Sequence, residues 1–371
     1  MDATELMLRA VKLARRGLGQ TAPNPCVGAL LVADGQVMAE GWHARYGGPH
    51  AEVAVIAEAQ AKGVDPAACD LFVTLEPCNH QGKTPPCTEA VLAAGIRRVF
   101  IGTRDPNPDV TGGGADFLRD RGVAVELGVA EEACRDLIAD FLTWKTTTRT
   151  YNFLKMAMTI DGKIAGRDGL RSAVSSEASL ARVQELRCRV DAVVIGGSTF
   201  RADDPRLTCR QDVGGKDPYA VVVTGRLPER DAAYHLLTHR ASRTIFWTSR
   251  EAEGSARGQA LLESGIRVWG LPEKSGHLDL AAGFSRLRRE LTAYHTLCEG
   301  GGRLAMSLVE QGLADELWLF VAPKIVGDEA ARHVFAGGPE RSIAESLRFR
   351  VAGFEQSGAD VLMIYRPWER S

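Results

Sequence analysis

Apolar runs with a period of two and amphipathic stretches with a helical period alternate along the chain, which lets its elements be marked one at a time. Asp2-Ala3-Thr4-Glu5 reads as a capping box, and Leu6, Ala10, Leu13 and Ala14 follow at helical spacing to a stop at Gly17. Residues 26–33 are an apolar strand, Asp34-Gly35 a tight turn and residues 36–41 the returning strand. Residues 50–62, rich in Ala, Val and Glu and closed by Gly63, are predicted helical. A buried strand over 71–75 follows, and a helix starts near Pro85-Pro86. Residues 98–102, 116–121 and 123–127 continue as strand, helix, strand, and a helical pattern spans 131–144. This alternation predicts a layered α/β/α domain with the first hairpin on one edge of its sheet.

Residues 145–150 are polar and Thr-rich, the best candidate for a linker. Beyond it, residues 151–158 and 190–195 are strong apolar runs. Weaker ones cover 219–223, 243–247, 266–269, 296–298, 317–326 and 361–365, with helical stretches between several of them. A second α/β core is expected, giving domains at 1–145 and 150–371. Residues 211–217 and 250–258 read as exposed loops.

Composition narrows the function. A chain of 371 residues is too long for one typical core. A formal net charge of −2 provides no global basic field to hold a polynucleotide. No charged segment followed by an apolar one opens the chain, and no apolar run has transmembrane length. The eight cysteines are scattered and no secretory signal accompanies them, so a reduced cytoplasmic context is expected rather than a disulfide framework. Cys69, Cys134, Cys188, Cys209 and Cys298 are accordingly read as core residues or bystanders.

The chemistry concentrates between residues 50 and 87. His50-Ala51-Glu52 opens the stretch, and Pro77-Cys78 through Cys87 closes it. Catalytic zinc takes three protein ligands from His and Cys plus an open position. His50, Cys78 and Cys87 supply that set, and Glu52, two residues after the His, can reach the open position without ligating. Zinc deaminases of bases use this apparatus with Glu as proton shuttle. A closed structural site would need a fourth ligand, for which His80 is the nearest candidate. His50 and Glu52 fall at the first turn of a predicted helix, as does Cys87, whose thiolate the positive helix end would favour.

Eight residues separate the two cysteines where the common signature has two. That insertion, with Pro23-Asn24-Pro25 and Asp105-Pro106-Asn107-Pro108, resembles the bifunctional deaminase–reductases of riboflavin biosynthesis. The resemblance implies a cytidine-deaminase-like first domain that uses Zn2+ to deaminate a 2,5-diamino-6-(phosphoribosylamino)pyrimidinone. Asn24 and Lys83 would contact that substrate.

Residues 155–165 and 196–208 are similar to the two signatures of the family's reductase domain, which resembles dihydrofolate reductase in fold and uses NADPH to reduce ribosyl to ribityl. The Rossmann fingerprint is absent. In its place Glu299-Gly300-Gly301-Gly302-Arg303 joins a strand to a helix, a pattern that serves a phosphate or is simply a turn. By resemblance, Ala157, Thr199, Asp203 and the run Gly301, Gly302, Arg303, Leu304, Ala305, Met306 and Ser307 would meet the dinucleotide. Arg187, Leu207, Arg210 and Glu299 would meet the sugar phosphate. The chain also departs from the family: Arg171 stands where a substrate-contacting Ser is expected, and Ala173 where an aromatic flanks the cofactor. Two other readings stay open, a nucleobase or nucleic-acid deaminase with a C-terminal binding module and a zinc-stabilised scaffold without turnover. A homo-oligomer acting on small molecules, not on nucleic acid or membrane, is expected.

Overall fold

The computed structural model describes residues 1–80, 85–107, 113–166, 173–210, 217–274 and 276–368, so Lys83 and Arg171 lie outside the described residues. The chain divides into two units, Met1–Thr147 and Thr148–Ser371.

The first unit runs α1 (Ala3–Ala14), β1 (Gly28–Ala33), β2 (Gln36–Trp42), α2 (Ala51–Ala61), β3 (Asp70–Leu75), α3 (Cys87–Ala93), β4 (Arg98–Thr103), α4 (Gly114–Arg119), β5 (Ala124–Leu127), α5 (Glu131–Leu137) and α6 (Ala139–Thr146). Its sheet has the order β2-β1-β3-β4-β5, antiparallel across the first hairpin and parallel from β3 to β5. The capping box forms as the spacing predicts, with Glu5 N–H donating to Asp2 at 2.8 Å and Asp2 N–H to Glu5 at 3.1 Å. Asp34 at φ 50° and Gly35 at φ 72° make the two-residue turn whose twist suits a hairpin.

Alternation of side chains sorts each strand between two faces. Leu30, Val32, Phe72 and Phe100 turn to α1, where Leu6, Met7 and Ala10 complete a buried cluster. On the other side α2 lies flush on β2. A Cβ on Gly41 would come 2.4 Å from the backbone nitrogen of Val55, so only glycine permits that approach. The close seat fixes the helix whose first turn carries the candidate site.

The second unit begins with β6 (Tyr151–Thr159), β7 (Lys163–Ala165), α7 (Glu177–Arg187), β8 (Ala192–Gly196), α8 (Gly197–Asp203) and β9 (Tyr219–Val223). It continues with α9 (His235–Thr238), β10 (Thr244–Ser249), α10 (Arg250–Gly254), α11 (Ala256–Glu263), β11 (Arg267–Leu271), β12 (Glu273–Lys274), β13 (His277–Leu278) and α12 (Leu280–Leu291). It closes with β14 (His295–Cys298), α13 (Gly302–Glu310), β15 (Glu316–Ala322), β16 (Arg332–His333), β17 (Phe349–Ser357) and β18 (Asp360–Pro367). Nine of these strands form one sheet in the order β11-β10-β9-β8-β14-β6-β15-β18-β17. All neighbours are parallel except the last two pairs, which add an antiparallel hairpin. Both faces of the parallel part are covered, one by a cluster around Trp247, Phe284 and Leu308, the other by one around Phe200, Leu237 and Phe246. Parallel strands buried on both faces explain why their sequences read as continuous apolar runs.

Four expectations are corrected. The helix over 131–144 is broken at Ile138 (φ −108°, ψ 20°), which lets Leu137, Ile138, Phe141 and Trp144 all turn inward. Residues 250–258 are helical, because Ser249 and Ser255 each cap a new helix by accepting from Ala252 N–H and Gly258 N–H at 3.2 Å. The strand expected over 317–326 ends at Ala322. There the chain turns onto Asp161, whose carboxylate accepts from Gly327 N–H at 2.8 Å and from Val326 N–H. Cys188 and Cys209, read as bystanders, are joined in a disulfide between the end of α7 and the segment after α8. Their separation of 21 residues belongs to no motif, and only the fold brings them together.

Candidate active sites

In the first unit the candidate metal centre is assembled from three elements. His50 is the N-cap of α2. Cys78 follows the carboxyl end of β3, and Cys87 is the first residue of α3. Their ligand atoms lie within 4.8 Å of one another, His50 Nδ1 3.2 Å from Cys87 Sγ and 3.6 Å from Cys78 Sγ. Among the described residues this is the one such group, and His80 is not part of it. The three-ligand set predicted from spacing is therefore brought together.

The electrostatics fit a metal. Hydrogen bonding from Cys87, whose N–H donates to Cys78 Sγ at 3.4 Å, together with His50, pulls the Cys78 thiol down to about 4. The neighbouring thiolate and burial push Cys87 the other way. Two sulfurs competing for one proton, beside an imidazole nitrogen, are a donor set completed by a thiophilic cation such as Zn2+. Glu52 is buried at 4% exposure, and burial, reinforced by the Cys78 thiolate, lifts its carboxyl to about 7. A carboxyl poised near neutrality can take and return a proton at working pH.

Asn24 and His43 extend this site, with Asn24 Nδ2 3.2 Å from His43 Nε2 and the two imidazoles of His43 and His50 meeting edge-on at 5.3 Å. Glu76 was not anticipated from sequence. Its carboxylate accepts from Ala115 N–H at 2.9 Å and Asp105 N–H at 3.1 Å, tying α4 and the segment after β4 to the strand end that delivers Cys78. A Cβ on Gly114 would sit 1.9 Å from the Pro77 carbonyl oxygen, so the packing there is equally close. The residue pair Glu76-Pro77 carried the only local signal, as the step before a ligand.

In the second unit the predicted residues gather at the carboxyl ends of β8, β14 and β6, where ligands bind in open parallel sheets. Glycines 196 and 301 are the N-caps of α8 and α13, and neither has a side-chain cap. Among the described residues no atom beyond its own chain neighbours lies within 4 Å of the place a Cβ on Gly301 would take, which leaves room at the N-terminus of α13 for a dinucleotide phosphate. A Cβ on Gly302 would meet the His333 carbonyl oxygen at 2.4 Å, so the segment around β16 is seated on this turn. Leu304 and Ala305 are buried in the core, which leaves backbone, not their side chains, to meet a ligand. Thr199 and Asp203 lie on α8 and Ala157 on β6, all partly exposed.

Arg187 and Glu299, expected as two substrate contacts, are paired with each other. Arg187 Nε and Nη2 donate to Glu299 Oε1 at 2.9 and 2.7 Å, and Nη2 also to Oε2 at 2.9 Å. Their side chains are 9% and 16% exposed. Lys155 on β6 was missed as a site residue. Burial lowers its pKa, and attraction to Glu299 works the other way. Leu207 is buried in the core with φ 51°, so only its backbone is available to a substrate. Arg240, also missed, holds that backbone, donating to the carbonyls of Arg206 and Leu207 at 2.9 Å and of Pro218 at 2.7 Å. Arg210 lines an open depression of about 260 Å³ with Asp204, Pro205 and Arg206. Ala173 is exposed, and its carbonyl accepts from Lys324 Nζ at 2.9 Å.

Comparison with known proteins separates the remaining readings. Residues 1–103 match the model of the cytidine and deoxycytidylate deaminase zinc-binding region, and residues 150–363 match that of the RibD C-terminal domain. The riboflavin biosynthesis protein RibD of Aquifex aeolicus is 38% identical over 362 residues, covering 97% of each chain. The chain belongs to the RibD family. RibD of Escherichia coli is 34% identical over 369 residues, covering 96% of this chain and 97% of that one. Among solved structures, the Thermotoga maritima diaminohydroxyphosphoribosylaminopyrimidine deaminase/5-amino-6-(5-phosphoribosylamino)uracil reductase superposes with a TM-score of 0.79 at 35% identity, covering 99% of both chains. Acinetobacter baumannii RibD gives 0.76 at 31% identity with the same coverage. As a member of that family, the protein is a bifunctional deaminase and reductase of riboflavin biosynthesis that takes Zn2+ and NADPH and acts on a small phosphoribosylated pyrimidine. A RibD-type C-terminal domain does not favour a nucleic-acid deaminase with a passive module. Among the described residues no helix is long and apolar enough to cross a membrane.

Proposed function

We propose that each unit carries one of the two reactions, and that the residues named above divide the work. The first unit would replace the amino group of 2,5-diamino-6-(5-phosphoribosylamino)pyrimidin-4-one by oxygen, and the second would reduce the ribosyl group to ribityl. The observation that carries this reading is the His50, Cys78 and Cys87 cluster with buried Glu52 beside it. Zn2+ held there supplies hydroxide at neutral pH, and NADPH in the second unit supplies hydride. Glu52 accepts the proton of the attacking water and passes it to the departing amine nitrogen. Asn24 and Lys83 orient the pyrimidine nucleotide. In the second unit the Gly301-Gly302 turn, Ala157, Thr199 and Asp203 hold the dinucleotide, while Glu299, Arg210 and Arg171 are assigned to the sugar phosphate. Arg187 fixes the Glu299 carboxylate, and Lys155 sets the field around it.

The small negative net charge supports small-molecule substrates over nucleic acid, and a cytoplasmic setting suits a pathway enzyme of this kind. Exposed Val351, Phe354 and Val361 on the terminal hairpin support a homo-oligomer.

The reductase assignment is tested at the buried ion pair. Arg187→Met leaves Glu299 charged and unpaired, so the second unit should lose about 3–5 kcal/mol of stability together with NADPH oxidation. Adding Glu299→Leu should restore most of the stability, because an apolar pair can replace a buried ionic one, but not the activity. Recovery of both would make the pair purely structural. Ammonia release should be unchanged throughout.

A further inference from the structure

Asn24 lies between Pro23 and Pro25 in a turn closed by its own N–H to the Thr21 carbonyl at 2.8 Å. The backbone is thereby fixed, yet a half-turn of the side-chain amide would exchange its donor and its acceptor. His43 prevents that exchange. Its ring is buried at 2% exposure and held at both nitrogens, Nδ1 at 2.8 Å from the Pro49 carbonyl oxygen and Nε2 at 3.2 Å from Asn24 Nδ2. A carbonyl oxygen only accepts, so Nδ1 carries the hydrogen. An amide nitrogen only donates, so Nε2 is bare. The two bonds are compatible with one neutral tautomer, and each enforces the other.

The consequence falls on Asn24. With one of its two amide hydrogens given to His43, the Asn24 amide keeps Oδ1 on its opposite edge, an acceptor that cannot exchange places with the nitrogen. The same ring reaches the metal centre twice, through its edge-on contact with His50 at 5.3 Å and through Pro49, the residue that precedes His50. One side chain thus sets the amide on the substrate side and the backbone that delivers a ligand.

We propose that His43 is a positioning residue for deamination: as the Nδ1–H tautomer it locks the Asn24 amide with Oδ1 outward, so that the site selects an N–H or O–H donor on the pyrimidine nucleotide. This rests on the reading of Asn24 as a substrate contact.

The test uses the zinc-loaded full-length protein labelled with 15N at histidine. Multiple-bond 1H–15N spectra, with the ring assigned by its loss in His43→Phe, should show His43 protonated at Nδ1 and bare at Nε2. The opposite tautomer overturns the proposal. In kinetics, His43→Phe should raise KM for the diaminopyrimidine nucleotide about tenfold, the cost of one lost positioned hydrogen bond, with kcat and zinc content little changed. His43→Gln, whose amide can donate to Pro49 and accept from Asn24, should recover most of the loss. His43→Phe combined with Asn24→Ala should be no worse than Asn24→Ala alone, because His43 acts through that amide. Multiplying losses, or no rescue by Gln, overturn it. Wild-type protein that releases no ammonia from the nucleotide would instead defeat the deaminase reading, leaving the tautomer standing.

Discussion

Glu52→Gln should keep its zinc and its fold and lose about 100- to 10,000-fold in ammonia release, roughly 3–5 kcal/mol of barrier. Several features point the same way. Glu52 sits in the first turn of α2, two residues after the His50 that caps it, so the helix fixes both side chains on one rigid element. Its carboxyl is buried and raised to about 7, so it can hold a proton at one stage of the reaction and release it at another. An amide of the same shape keeps the packing and cannot take up or return that proton. The measurement is zinc per chain beside the initial rate of ammonia release. A variant that retains most of its rate would remove Glu52 from the role of proton carrier, whatever the metal content.

Cys78→Ser should take the zinc away and deamination with it, while reduction of the already deaminated nucleotide continues. Cys78 is the sulfur that ionises first, drawn down to about 4 by Cys87 and His50, and serine offers no comparable anion at neutral pH. Metal binding to a site formed only on folding contributes to folding, so the first unit should also melt at lower temperature. The second unit has its own sheet and its own apolar clusters, and none of its described residues belongs to the metal group. Zinc content, two melting transitions and two separate activity assays decide the matter. Equal damage to both activities would contradict the division of labour between the units.

The zinc cluster was legible because three ligands, one His and two Cys, and a carboxylate stand in a diagnostic order within 38 residues, as counting from His50 to Cys87 shows. The strands of the second unit were legible because parallel strands buried on both faces leave unbroken apolar runs. What escaped depends on contacts distant in sequence. Arg240 holds the backbone of Arg206 and Leu207 from more than 30 residues away, and no local pattern marks it. Arg187 and Glu299 carry no sign of pairing across 112 residues, and each was read alone as a substrate contact. The edge strand β17 was missed because one side of it faces solvent, which dilutes the apolar signal. Ser255, inside the expected loop over 250–258, is a helix cap, since the same hydroxyl chemistry serves loops and caps alike.

The measurement that bears most directly on the whole account is product identification from one substrate under two conditions. The zinc-loaded enzyme is given 2,5-diamino-6-(5-phosphoribosylamino)pyrimidin-4-one, first without and then with NADPH, and the products are identified by mass and ultraviolet spectrum. Without NADPH, ammonia should be released and one ring amino group replaced by oxygen, the ribosyl group being unchanged. With NADPH the same product should gain two hydrogens on the sugar, one NADPH being consumed for each. Ammonia release that favours free bases or oligonucleotides, or a deaminated product that NADPH leaves untouched, would contradict it.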